Sequence, residues 1–90
     1  MKVEMYTKAA CPYCGHAKSL LRQYGVEVIE HDVTHDAGKV SEMVDRSLGR
    51  WTVPQIFFNG VPMGGCDDLH TLHYAGQLED LLNDGYASCA

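Results

Sequence analysis

The sequence predicts an α/β domain: a four-stranded mixed sheet flanked by helices, in the order β-α-β-α-β-β-α. Three observations carry that prediction. Short β-branched segments alternate with helical apolar stripes, the pattern of a parallel β-α-β start. Asn59-Gly60 between two apolar runs marks a hairpin, so an antiparallel pair joins the parallel one. Ninety residues, 46% hydrophobic and 21% charged, make one domain of ordinary globular composition, large enough for one modest core without a structural metal.

Each element has its own signal. "KVEMYT" (2–7) places Val3 and Met5 on one face and reads as the first strand. Pro12 suits the first turn of a helix, on which Tyr13, Ala17, Leu20, Leu21 and Tyr24 recur at helical spacing before Gly25 stops it. "VEVIEHDV" (26–33) is the second strand. "HDAGKVSEMVDRSLG" carries Val40, Met43, Val44 and Leu48 on one stripe, closed by Gly49. "QIFFNGVPMGG" is the hairpin. Asp67 and Asp68 sit where acidic residues favour a helix N-terminus, and Leu69, Leu72, Leu78, Leu81 and Leu82 supply the apolar face of one or two closing helices. The domain is expected over 1–85, with 86–90 a flexible tail.

Composition excludes several function classes. The net charge is −5 with seven basic residues and no basic cluster, which argues against nucleic acid as a partner. No apolar run approaches the ~20 residues of a membrane span. The opening residues alternate rather than forming an apolar signal-peptide core. Four cysteines, at 11, 14, 66 and 89, are few for a disulfide-stapled secreted domain. The expected address is the cytoplasm, where a CxxC is more often catalytic or metal-binding than structural.

That CxxC is Cys11-Pro12-Tyr13-Cys14. At the cap of the first helix, Cys11 meets unpaired N–H groups and the positive end of the helix dipole, which favour thiolate over thiol. Lys8, three residues upstream, adds a full positive charge, so Cys11 is the expected nucleophile. Cys14 stands one turn later on the same face, with Cβ atoms ~5–6 Å apart. A disulfide wants ~3.5–4.5 Å, so the pair can cycle between dithiol and disulfide after a local adjustment. Cys14 lies inside the helix and is expected to stay protonated as a resolving thiol. Zinc needs four ligands and the chain has no second CxxC; His70 and His73 form an HxxH pair within an expected helix and read as solvated surface. No metal is expected.

The chain resembles the glutaredoxins, specifically the dithiol class and its small bacterial members. The likeness spans roughly residues 2 to 83 and rests on "YTKAACPYC" (6–14), "TVPQIFFNG" (52–60) and "GGCDDL" (64–69) in that order. It implies the thioredoxin fold, and a glutathione-dependent oxidoreductase that acts on protein disulfides and glutathione mixed disulfides. It also implies a nucleophile at Cys11, a resolving thiol at Cys14, and a glutathione groove formed by Lys8, Cys11, Tyr13, Thr52, Val53, Pro54, Gly65, Cys66 and Asp67. In relatives the bond before the matching proline is cis, which turns the Val53 backbone outward to pair with glutathione like an added strand. Gly65, Cys66 and Asp67 open the last helix, whose free N–H groups suit the γ-glutamyl carboxylate. Lys8, with Arg50, faces the glycyl carboxylate, and Tyr13 walls the groove. Asp68 reads as a helix cap.

Trp51 stands where relatives often carry a basic or small polar residue. Cys66 is expected to contribute backbone, and Cys89 and His16 to be incidental. The expected partners are glutathione and disulfide-containing or glutathionylated proteins, with the chain acting as a monomer. The resemblance also leaves a rival: an iron–sulfur carrier in which two chains share a cluster through Cys11 and two glutathiones. A redoxin served by thioredoxin reductase fits less well, because "TVP" and "GGCDD" point to glutathione.

Overall fold

β1 (Val3–Thr7) is buried along its whole length because it lies inside the sheet and both of its faces are covered. β2 (Val28–Asp32) runs parallel on one side of it, β3 (Gln55–Phe58) antiparallel on the other, and β4 (Val61–Gly64) completes the order β2-β1-β3-β4. This architecture comes from a computed structural model that describes residues 1–84; the expected tail at 86–90 lies outside the described residues. The β3–β4 turn places Asn59 at φ 51° and Gly60 at φ 83°, the left-handed pair that a tight hairpin needs.

Alternation along the strands sorts the core into two layers. Val3, Met5, Ile56 and Phe58 meet Ala17, Leu20 and Leu21 of α1 (Pro12–Gln23), Leu69 of α3 (Cys66–Tyr74), and Leu78 and Leu82 of α4 (Leu78–Asp84). Each of these side chains except Ala17 contributes about 1.5–3 kcal/mol on burial. On the opposite face Tyr6 and Phe57 meet Val33 and Met43, with Val40 and Val44 of α2 (Ala37–Arg46) packed alongside.

That second face also holds a charge. Glu4 is 6% exposed, and Arg46 meets its two carboxylate oxygens at 3.0 and 3.1 Å while also donating to the Tyr6 hydroxyl at 2.7 Å. His31 Nε2 lies 2.9 Å from the same carboxylate. The Arg46 hydrogen bonds hold the Glu4 carboxyl at about 2, against the resistance of burial. The Arg46 guanidinium also stacks 4.3 Å from the Phe57 ring centre.

Three details differ from the sequence expectation. Tyr13 leaves the apolar stripe: it is 60% exposed, and the buried face of α1 is Cys14, Ala17, Leu20 and Leu21, because Tyr13 lies in the first turn of the helix, at its cleft end. Leu48 is 86% exposed. α2 ends at Arg46, and the Gly49 N–H returns to the Val44 carbonyl at 2.8 Å, which throws Leu48 outward at φ 62°. β2 is shorter than the expected 26–33, since the Val26 N–H closes α1 by bonding the Leu21 carbonyl at 3.1 Å. The closing segment forms two helices, α3 and α4.

Candidate active site

The chain leaves β1 at Thr7, turns through Ala10 at φ 58°, and presents Cys11 as the N-cap of α1. Pro12 follows at the first helical position, where its missing N–H costs nothing. The Cys14 N–H points at the Cys11 sulfur at 3.3 Å, so the sulfur takes the place that a capping oxygen would occupy. Cys11 is half-buried, whereas Cys14 is 3% exposed. Burial, reinforced by the neighbouring Cys11 sulfur, pushes the Cys14 thiol up to about 12; a hydrogen bond with the Lys8 backbone pulls the other way. Cys11 and Cys14 are free thiols.

On one side of the pair lies a cleft of about 260 Å³. Thr52, Val53 and Pro54 form one wall, and Gly65, Cys66 and Asp67 at the start of α3 form the other. Tyr13 and Arg50 stand over it. The Cys11 sulfur is 4.0 Å from the Val53 carbonyl oxygen, which puts it at the mouth. The Val53-Pro54 bond is cis.

The walls approach closely. A Cβ at Gly65 would stand 3.2 Å from the Pro54 carbonyl oxygen, so glycine permits the contact. Gln55, wholly buried, donates from Nε2 to the Thr52 carbonyl at 2.9 Å and to the Thr52 hydroxyl at 3.1 Å, fixing the first wall. Asp68 caps α3 by accepting from the Gly65 N–H at 2.8 Å, and also meets Arg50 at 3.3 Å.

Seven of the sequence-expected residues thus gather in one cleft, with Cys11 at its mouth. Lys8 lies elsewhere: it lines a separate hollow, with Cys11, Cys14 and Lys18. Arg50 is the cation in the cleft wall. Trp51 is 70% exposed and lies outside the lining. Burial, then the Asp67 charge, raise the Cys66 thiol. His70 and His73 are not free surface: His70 Nδ1 lies 2.9 Å from the Cys66 carbonyl oxygen, and His73 Nδ1 lies 2.5 Å from the Tyr24 hydroxyl. Among the described residues no three His, Cys, Asp or Glu side chains gather as metal ligands, and no helix is long and apolar enough to cross a membrane.

The sequence reading passed over Glu30 and Thr7, which share the Lys8 hollow. The period-2 rhythm of a strand could have placed Thr7 on one side with Val3 and Met5; nothing local marks Glu30 as paired.

A capped cysteine beside a buried second thiol, at the end of a central strand, defines a thiol–disulfide oxidoreductase. The glutaredoxin family model matches residues 3–63, and the chain belongs to that family. It is 51% identical over 80 residues to glutaredoxin 3 of Escherichia coli, covering 89% of this chain and 95% of that one. The solution structure of glutaredoxin from Brucella melitensis superposes with a TM-score of 0.79 at 46% identity, covering 91% of this chain and 88% of that one. A crystal structure of a buckwheat glutaredoxin–glutathione complex does so with a TM-score of 0.82 at 27% identity, covering 94% and 79%. The fold is therefore the thioredoxin fold that the sequence implied.

Proposed function

We propose that the protein is a glutathione-dependent oxidoreductase that reduces glutathione mixed disulfides and protein disulfides in the cytoplasm, acting as a monomer. The observation that carries this reading is the 4.0 Å approach of the Cys11 sulfur to the Val53 carbonyl, at the mouth of a cleft of about 260 Å³. A related protein of the same fold forms a glutathione complex. In this reading the glutathione cysteine lies along the Val53 backbone like an added strand. Its γ-glutamyl carboxylate meets the N–H groups at Gly65, Cys66 and Asp67. Arg50 takes the glycyl carboxylate, Tyr13 and Thr52 wall the ligand, Pro54 supports the floor, and Lys8 adds positive charge behind Cys11.

The Cys11 thiolate attacks the glutathionyl sulfur of a mixed disulfide. A Cys11–glutathione bond forms, the bond to the substrate sulfur breaks, and the departing thiolate takes a proton from water. A second glutathione thiolate then attacks the glutathione sulfur of that bond, giving glutathione disulfide and free Cys11. With a protein disulfide, Cys11 attacks first and Cys14 displaces the substrate, closing a Cys11–Cys14 disulfide that glutathione reopens.

Reduction of a glutathionylated peptide, coupled to glutathione reductase, tests this. Cys11→Ser is expected to abolish turnover and Cys14→Ser to keep much of it. Equal loss in both variants would sink the one-cysteine route, and turnover independent of glutathione would sink the whole reading.

A further inference from the structure

We propose that Glu30 accepts the proton of Cys14 when the second cysteine takes part, across the solvent of the hollow behind the cysteine pair. This rests on the two-cysteine route above. The hollow encloses about 500 Å³, with Cys14 and Lys18 on its α1 side and Thr7, Glu30 and Asp32 on its sheet side. Cys14 lines this hollow and not the cleft, so a proton leaving its sulfur for a carboxylate has Glu30 or Asp32 to go to. Asp32 is turned to the loop after its own strand, its Oδ1 accepting from the Thr34 N–H at 2.8 Å and from the Thr34 hydroxyl at 2.5 Å.

Glu30 is held toward α1 instead. Lys18 Nζ lies 3.3 and 3.2 Å from its two carboxylate oxygens, and the buried Thr7 hydroxyl donates to Oε1 at 2.8 Å. Cys14 and Lys18 are four residues apart and therefore share a helix face. The anchored carboxylate thus stands below the same face that carries the thiol, with lone pairs left over for water. The other charged groups around it are Lys8 and Asp32 in this hollow, and Arg22 and Glu27 in the adjoining one.

In the step itself Cys14 attacks the Cys11 sulfur of the mixed disulfide. The Cys11–Cys14 bond forms, the substrate sulfur leaves with its electron pair, and the Cys14 proton passes through water to Glu30. A thiol that burial holds protonated gains from such an acceptor. When glutathione reopens the disulfide, Glu30 returns the proton to Cys14.

The test uses DTNB, an aryl disulfide whose thionitrobenzoate leaving group absorbs visible light. Cys11 attack releases one such anion and Cys14 attack releases a second; Cys14→Ser identifies the second phase by removing it. In Glu30→Gln the first phase is expected to be unchanged and the second slowed about 100-fold, the lower end for general-base help. Added acetate should restore the second phase in Glu30→Gln and leave the native protein unaffected. A second phase as fast as native, equal slowing of both phases, or failure of acetate to rescue would each overturn the role of Glu30. Absence of a Cys14-dependent second phase in the native protein would instead overturn the two-cysteine route.

Discussion

Val3 and Met5 face α1, α3 and α4 across a layer of apolar side chains, whereas Glu4 and Tyr6, their neighbours on the same strand, face α2 across an ion pair. The first layer is non-directional and insensitive to pH, and it seats the helices that begin at the cysteine pair and at the far cleft wall. The second is directional. Arg46 is the last residue of α2, and after it buried Ser47 accepts from the Arg50 N–H at 3.1 Å and donates to the Arg50 carbonyl at 3.1 Å. Orienting Arg46 therefore orients the segment that carries Arg50, Thr52 and Val53 into the cleft. A buried ion pair adds little net stability over an apolar pair, because desolvation offsets its attraction.

The two faces should respond differently to damage. Leu69→Ala on the apolar face should lower the unfolding free energy by about 3–4 kcal/mol, read from urea denaturation; a loss under ~1 kcal/mol would mean that this face is not close-packed. Arg46→Met should cost about 2 kcal/mol, less than a fully buried pair would, because the guanidinium is 27% exposed. Glu4→Leu added to Arg46→Met should recover most of that loss; a double variant as unstable as the single one would show that the pair stabilises outright.

The smallest effect is acid sensitivity. Glu4 titrates at about 2 in the fold against an ordinary 4.5. Its stabilisation is therefore complete above the ordinary value and lost as pH falls from there toward the folded one. By pH 4 less than ~1 kcal/mol should be gone. That limb should vanish from the Glu4→Leu/Arg46→Met double variant; its persistence there would assign the acid limb to other carboxylates.

Strand and helix order, the hairpin turn and the cysteine-capped helix were legible because each is local. Asn59-Gly60 fits a turn whose geometry few other pairs adopt, and Pro12 fits a first turn regardless of the rest of the chain. Glu4 was not legible: its alternation with Val3 and Met5 says only that it faces the other side, and what covers that side arrives forty-two residues later in Arg46. The cleft was legible through its three blocks, but its cation was not. Lys8 and Arg50 are equivalent charges on paper, and only the path of the loop after α2 decides which of them reaches the wall. Glu30 escaped for the same reason, its partner Lys18 lying twelve residues back on the crossover helix.

Gly64 has φ 91°, and a Cβ built there would run into the Asp68 carboxylate. That carboxylate caps α3 and meets Arg50, so the bare position at the end of β4 is a requirement set four residues further on. In a population of variants, a shorter side chain at 68 would not free position 64, because its φ of 91° strains any side chain placed there.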